Sequence, residues 1–297
     1  MASDSHTRAA GSAARKRGRH HLTLATIRRL IRSGWLVFRS MLSAVMATPP
    51  TVRIVLGLVL ILLVWLTGNW VYHAIHKPSE VFFPLDGTLA KSPRATWREY
   101  GSLFRDHSTA VMTPELLASL AQVEGAGNPV ARTYWRLRPT WNPLEIYQPA
   151  SSAVGMYQIT DGTFDEAKRY CIHDHVVIAD GPWHDVRSCW FNSLYFRVLP
   201  SHAIELTSAL LDRGVASAIG GRRTAATLQQ KQDLAAIIHL CGAGAGHAYA
   251  ARGFRLLPRQ HCGDHDVGAY LAQVRAMKRQ FARLAVGDSP SPVLKSR

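Results

Sequence analysis

The chain has 297 residues, 47% of them hydrophobic, so it can bury a substantial core and does not have the composition of a disordered protein. Lysine and arginine exceed aspartate and glutamate by 35 to 20, which gives a formal net charge of +15. Much of this excess lies in residues 1–53, where the basic residues are opposed only by Asp4. The basicity is therefore mainly an N-terminal property.

The segment from Ile54 to Ile75 contains no Asp, Glu, Lys or Arg. As a helix rising about 1.5 Å per residue it would be roughly 33 Å long, which matches a hydrocarbon core about 30 Å thick. We therefore expect a single transmembrane helix at 54–75. The basic segment before it favours a cytoplasmic N-terminus, and Trp65, Trp70 and Tyr72 suit the far interface. A buried helix of a soluble domain is the alternative, and the 53 preceding residues argue against a cleavable signal peptide.

Residues 22–46 alternate apolar clusters with Arg28, Arg29, Arg32 and Arg39. This pattern is compatible with an amphipathic helix lying on anionic cytoplasmic lipid. Nucleic-acid binding is the rival explanation. We do not expect it, because membrane topology already accounts for the arginines and no nucleic-acid motif accompanies them.

All four cysteines follow the apolar segment, on the predicted exterior side. They are Cys171, Cys189, Cys241 and Cys262. An even number in that location fits two disulfides in an oxidising compartment. Three pairings are possible, and we favour Cys171 with Cys189 and Cys241 with Cys262, since each closes a local loop worth roughly 3 kcal/mol. No CxxC pair is present, and His173–His175 has no partners at a recognisable spacing, so we expect no metal site.

Residues 76–109 are expected to form a linker, either a stalk or a packed extension, before a mostly helical domain at 110–286 and a loose tail at 287–297. Thr113 can cap a helix with Pro114 in its first position. Thr160 or Asp161 can cap the next helix. Further helices are predicted at about 185–198, 201–216, 225–241 and 267–284, the last from the spacing of Val267, Tyr270, Leu271, Val274, Met277, Phe281 and Leu284.

Glu124 lies in line with Leu117 and Leu120 on the apolar face of the first of these helices, just before Gly125 ends it. Burial and the negative end of the helix dipole both favour the protonated carboxyl, which a general acid near neutrality requires. A solvated last-turn glutamate is the alternative interpretation.

Three blocks in the chain are similar to motifs of one enzyme family. Glu124 is followed by an Asn-Pro-x-Ala turn at Asn128–Ala131, then by "GMYQ" at Gly155–Gln158, and finally by "IIHLCGAGAG" at Ile237–Gly246. In this order they resemble the soluble lytic transglycosylase family of the lysozyme-like superfamily, over roughly residues 110–286. The resemblance implies a mainly α, lysozyme-like globular domain behind a single N-terminal transmembrane helix.

The resemblance also implies a reaction. Glu124 would act as general acid and base and cleave the bond between N-acetylmuramic acid and N-acetylglucosamine, which gives 1,6-anhydro ends. One carboxylate is enough, because the C6 hydroxyl of the sugar replaces water and an enzyme nucleophile. No metal or organic cofactor is implied. The residues expected to contact substrate are Asn128, Gly155, Met156, Tyr157, Gln158 and Gly244. For Met156, Tyr157 and Gln158, core packing is the alternative.

The chain departs from the family pattern at several positions. The serine that usually follows the acid is Gly125, and the tyrosine and asparagine of the third block align with Cys241 and Gly242. A tyrosine that supports Glu124 must then come from elsewhere, if there is one. The candidates are Tyr157, Tyr195 and Tyr249. The loop at 134–149 is also longer than usual.

Two other activities stay open. A hydrolytic muramidase would need a second acid, for which Glu145, Asp161 and Asp165 are candidates without a clear leader. A non-catalytic peptidoglycan-binding assembly component is the other alternative. The expected partners are peptidoglycan glycan strands and inner-membrane lipid, with no nucleic acid. The expected location is the bacterial inner membrane with the domain in the periplasm, and such an anchor is compatible with opening the wall for a conjugation or secretion complex.

Overall fold

The computed structural model describes residues 32, 34–36, 39–40, 43–185, 188–220 and 226–287. The described part is mainly helical, which confirms the predicted fold class at that level. The amphipathic helix considered at 22–46 lies largely outside the described residues, and the tail at 287–297 lies almost wholly outside them.

The chain divides into two compact units, Met1–Trp65 and Leu66–Arg297. The first described long helix, α1, spans Pro50–His76 and includes the predicted apolar helix at 54–75. Two described helices are long and apolar enough to cross a membrane, α1 and a later helix at Leu228–Ala251. Only 6% of the most apolar window of α1 is buried, against 44% for the later helix, which supplies core residues.

After α1 the chain alternates helices with short antiparallel strand pairs. In chain order the elements are a 3-10 helix at Pro78–Thr88, α2 at Pro93–Asp106, α3 at Pro114–Gly125, β1 at Trp135–Leu137, β2 at Tyr147–Pro149, α4 at Asp161–Ala167, β3 at Tyr170–His173, β4 at Val176–Ala179, a 3-10 helix at Trp190–Leu194, α5 at Pro200–Ile219, α6 at Leu228–Ala251, β5 at His261–Cys262, β6 at His265–Asp266 and α7 at Val267–Gly287. β1 pairs with β2, β3 with β4, and β5 with β6.

The core of the second unit is built from α2, α3, α5, α6 and α7. Its largest fully buried side chains include Phe104, Leu117, Ile204, Leu234, Ile237 and Phe281. Trp97, Tyr100 and Phe104 of α2 are part of this core. The segment at 76–109 is therefore not a stalk. Of the two forms expected for it, the structure has the packed extension, and the packed region starts before residue 110.

The predicted helix at about 185–198 is wrong in extent, because the described residues there form only the 3-10 helix Trp190–Leu194. The chain before it forms the β3–β4 hairpin, which the sequence analysis did not predict. Val176, Val177 and Ile178 are β-branched residues that favour a strand, and Asp174 and His175 adopt left-handed φ angles of 49° and 64° at the turn.

Both favoured disulfides are present. Cys171 joins Cys189 across a Cα separation of 5.4 Å, and Cys241 joins Cys262 across 5.5 Å. The second disulfide lies immediately before a kink at Gly242, whose φ of 81° and ψ of 170° interrupt α6. The helix predicted at 225–241 therefore ends close to a real break, although the helical segment resumes and continues to Ala251.

The position of α2 in the core can be tested with Phe104→Ala. This change removes a fully buried ring and is expected to lower the free energy of unfolding by about 3–5 kcal/mol, measured by chemical denaturation. Arg98→Ala on the exposed side of the same helix is the control and should change stability by less than about 0.5 kcal/mol. Equal effects of the two substitutions would contradict the packing of α2.

Candidate active site

The helix that carries Glu124 is capped at both ends. Thr113 accepts a hydrogen bond from the Leu116 N–H at its start, as the sequence predicted. At its end Ala126 takes a left-handed φ of 50° and donates to the Gln122 carbonyl, while Gly127 donates to the Ala121 carbonyl. The Ala126 bond reaches four residues back, as in the αL type of helix C-cap, and the two bonds satisfy two of the last carbonyls of α3.

Gly125, next to the acid, is a point of close backbone approach. A Cβ atom built on Gly125 would lie 2.8 Å from the Met156 Cα and 3.1 Å from the Gly155 carbonyl oxygen. Real Cβ atoms do not come so close to a backbone, so a serine does not fit here without a shift of the chain. The departure from the family pattern thus has a steric reason, in that the segment at 155–156 lies directly on the last turn of α3.

Met156 and Tyr157 belong to the core, which is the alternative left open for them rather than contact with substrate. Both side chains are fully buried, and the Tyr157 hydroxyl donates to the Leu117 carbonyl across 3.1 Å. Their packing follows from the close approach at Gly125. The backbone at 155–156 contacts the last turn of α3, so these two side chains point into the helical core.

Two other residues predicted to contact substrate hold the loops of the site together. Gln158, at a left-handed φ of 48°, donates from Nε2 to the carbonyls of Ala131 and Gly155, across 3.2 Å and 2.9 Å. Asn128 is buried, and its Oδ1 accepts from the Val130 N–H at 2.9 Å. Gln158 therefore does not hydrogen-bond Glu124 in this structure.

The predicted glycines have different environments. Gly155 is buried at a φ of 81°, and a Cβ there would lie 2.7 Å from the Arg197 carbonyl oxygen. Gly244 is exposed on α6 beyond the kink, with open space where a Cβ would stand. Among the residues predicted to contact substrate, Gly244 is thus exposed to solvent.

Tyr270 supports the carboxyl group of Glu124. It lies in the first turn of α7, and its hydroxyl donates to Glu124 Oε1 across 2.5 Å. Burial, together with the charge and hydrogen bond of Glu124, raises the pKa of Tyr270 well above its usual value. The phenol thus keeps its proton and remains a hydrogen-bond donor at every physiological pH.

The candidates chosen from sequence for this role, Tyr157, Tyr195 and Tyr249, lie elsewhere. Tyr195 donates to Glu205, and Tyr249 packs edge-on against Phe254. Tyr270 belongs to the apolar stripe predicted for the last helix, but its contact with Glu124 was not predicted. The available signal was a hydroxyl on a stripe of otherwise apolar side chains.

His239 is the second neighbour of the acid. It lies within the third sequence block, on the part of α6 before the Gly242 kink, and its Nε2 is 3.6 Å from Glu124 Oε1. Its ring meets Tyr157 edge-on at 6.5 Å between centroids. The third block therefore does bring a polar side chain to Glu124, although not at the positions that the family pattern implied.

The two contacts of the acid fall on one oxygen. Tyr270 and His239 both approach Oε1, and the Glu124 side chain is 17% exposed. Since Tyr270 donates to Oε1, it fixes the orientation of the carboxyl group and leaves Oε2 as the oxygen available for proton exchange.

The acids considered as a second catalytic carboxylate have other partners. Glu145 accepts from Asn142 at 3.0 Å, and Asp161 pairs with Arg197 at 2.6 Å. Asp165 pairs with Lys168 at 2.8 Å, and the hydrogen bond and charge of Lys168 lower the pKa of Asp165. Of the four carboxylates considered from the sequence, Glu124 is the one that Tyr270 and His239 both contact.

A cavity of about 490 Å³ has His239 in its lining, whereas Glu124 itself does not line it. It lies between α4, β3, α5 and α6, and its lining mixes apolar side chains with hydroxyl, basic and acidic groups. The polar lining includes Thr160, Thr163, Glu166, Arg213, His239 and His247. A cavity of this size with mixed lining is suited to a ligand that carries both hydroxyl groups and apolar faces, as sugars do.

Comparison with known proteins yields no match: no family model fits the chain, and neither a curated protein nor a solved structure is significantly similar to it.

The steric account of Gly125 can be tested with Gly125→Ser. The added Cβ must push the Met156 backbone away, and we expect a loss of about 1–3 kcal/mol in the free energy of unfolding. Gly162→Ser on α4 is the matched control, because a Cβ there meets nothing within 4 Å. If both variants unfold at the same denaturant concentration as the unaltered protein, the close approach at Gly125 is not a constraint.

Proposed function

We propose that this chain is a membrane-anchored peptidoglycan lytic transglycosylase in which Glu124 is the general acid and base. The observation that carries the proposal is the hydrogen bond from Tyr270 to Glu124 at the end of α3. The family that the sequence blocks resemble has a tyrosine on its catalytic carboxylate. In this chain α7 supplies such a contact, although the third block lacks the expected tyrosine.

The proposed reaction uses the single supported carboxyl group twice. Glu124 donates its Oε2 proton to the glycosidic oxygen as the bond from that oxygen to C1 of N-acetylmuramic acid breaks. The C6 hydroxyl of the same sugar then attacks C1 and returns its proton to the carboxylate. The product is a 1,6-anhydro end, no water is consumed and Glu124 is protonated again, so one acid suffices.

Tyr270 and His239 orient the acid in this scheme. Tyr270 remains a phenol and stabilises the carboxylate after proton donation, since a hydrogen bond to a charged group is worth about 1.5–3 kcal/mol. His239 also lines the cavity of about 490 Å³, from which a sugar would have to extend to reach Glu124.

The proposed location is the periplasmic side of a bacterial inner membrane. The described α1 is long, apolar and almost unburied, and a basic segment precedes it, which favours a single-pass anchor with a cytoplasmic N-terminus. Both disulfides lie after α1, as expected for a domain in an oxidising compartment. A domain held there would meet peptidoglycan directly.

Glu124→Gln tests the proposal most directly. The amide keeps the size of the side chain but cannot donate and recover a proton in the same way, so digestion of purified sacculi should fall by about 10²–10⁴-fold. Mass spectrometry of the products should show 1,6-anhydro ends with the unaltered protein. Reducing ends alone would instead support hydrolysis, and equal digestion by protein and variant would remove the enzymatic interpretation.

Tyr270→Phe tests the positioning role of the tyrosine. It removes the hydrogen bond to Glu124 but keeps the ring, so kcat should fall about 10- to 100-fold with little change in KM. The melting temperature serves as a check on folding. Tyr249→Phe is the matched control, because Tyr249 is a buried tyrosine of α6. This change should leave kcat close to its original value. Equal losses in the two variants would contradict a specific role for Tyr270.

A further inference from the structure

The segment Tyr134–Pro149, called here the 134–149 hairpin, is built on β1 and β2. Its loop packs against the last turns of α1. Asn69 donates to the Leu144 carbonyl across 2.7 Å, and Tyr72 donates to Glu145 at 3.4 Å. Trp135 meets the His73 ring edge-on at 5.1 Å. The hairpin therefore runs alongside α1 from the level of His73 to that of Asn69.

These contacts place the hairpin at the depth of a membrane surface. If α1 enters the hydrocarbon near Ile54, a core about 30 Å thick is crossed in about 20 residues, so its far boundary falls near His73. Asn69 lies one turn below that boundary, about 6 Å deeper. An asparagine at this depth requires a hydrogen-bond partner, and the Leu144 carbonyl provides one. The hairpin loop thus lies at the level of the interface and upper acyl chains.

The hairpin exposes side chains that suit this depth. Trp141 is 103% exposed and Leu137 is 73% exposed, values typical of side chains without protein contacts. Arg136 and Arg138 are also exposed on the same strand and turn. Tryptophan favours the membrane interface, and each arginine near an anionic surface contributes about 1 kcal/mol. Contact with acyl chains would remove these two large apolar side chains from water.

An apolar cavity of about 430 Å³ lies between the base of the hairpin and the last turns of α1. It is lined by Leu66, Thr67, Asn69, Trp70, Trp135 and Tyr147. Apolar surface of the hairpin and of the end of α1 thus meet in this cavity.

The hairpin is also fixed to the rest of the unit at its base. Trp135 donates from its indole nitrogen to Glu80 Oε2 across 2.9 Å, and Arg132 pairs with the same oxygen at 2.7 Å. Glu80 is fully buried. A hairpin held in this way has its depth set by the fold rather than by its own affinity for lipid.

We propose that the 134–149 hairpin is a second membrane contact, which dips into the outer leaflet beside α1. Leu137 and Trp141 enter the acyl region, and Arg136 and Arg138 bind lipid phosphates. The inference rests on the proposed membrane anchor. The occupant of this surface is the same bilayer that α1 crosses, because Asn69 and Tyr72 hold the hairpin against the apolar helix at that depth.

The test uses the full-length protein in vesicles made from a mixture of two lipids. One is phosphatidylglycerol, and the other is phosphatidylcholine that carries bromine near the top of its acyl chains. Bromine quenches tryptophans that touch the acyl region. If Trp141 is inserted, Trp141→Phe removes a quenched emitter, and the quenched fraction of the total fluorescence falls. Trp183→Phe is the control: Trp183 is 78% exposed in the loop after β4, and its removal as an unquenched emitter should raise that fraction.

The outcomes separate the hairpin from the anchor. A rise in the quenched fraction for Trp141→Phe, equal to that of Trp183→Phe, would overturn the hairpin contact while leaving α1 anchored. A fully unquenched protein that does not float with the vesicles would overturn the anchor and the hairpin contact together. Replacing Arg136 and Arg138 by glutamine should lower the quenched fraction in anionic vesicles, and an unchanged fraction would overturn their phosphate contacts.

Discussion

The close approach of the Gly155–Met156 backbone to Gly125 is the constraint on which the candidate site depends. With a Cβ excluded at Gly125, the segment lies directly on the last turn of α3, one residue from the acid. That position sends Met156 and Tyr157 into the core, and Gln158 ties the same segment to the Ala131 carbonyl. The acid, the turn after it and the second sequence block are therefore one packed unit, and none of them can move without the others.

The environment of Glu124 is set by residues far from it in sequence. The negative end of α3 is weakened near Glu124, because Ala126 and Gly127 donate to the carbonyls of Gln122 and Ala121. What remains is a half-buried carboxyl whose Oε1 is met by Tyr270 and His239. A buried polar group is tolerated where it has hydrogen-bond partners, so α6 and α7 make the position of the acid possible.

The features that depend on local sequence patterns were predicted correctly, whereas contacts that depend on the packing of helices were not. The bounds of α3, its Thr113 cap and both disulfides follow from short-range signals, and the structure has all of them. Tyr270 could not be assigned, because its approach to Glu124 depends on how α7 packs against α3, and helical spacing records only which face is apolar. Met156 was misassigned for a related reason, since a motif places a residue near a site but does not say to which side its side chain points.

Glu80 joins the segment after α1 to the turn that leaves the acid. Its buried carboxylate pairs with Arg132, which directly follows the turn at Asn128–Ala131, and Lys77 Nζ lies 3.2 Å from its other oxygen. Such a fully buried group is costly unless all its partners are held in place, and removal of one partner strands a charge. We therefore expect this region of the second unit to be rigid. Glu80 is the common contact of three parts of it: the end of α1, the base of the hairpin and the loop beside Glu124.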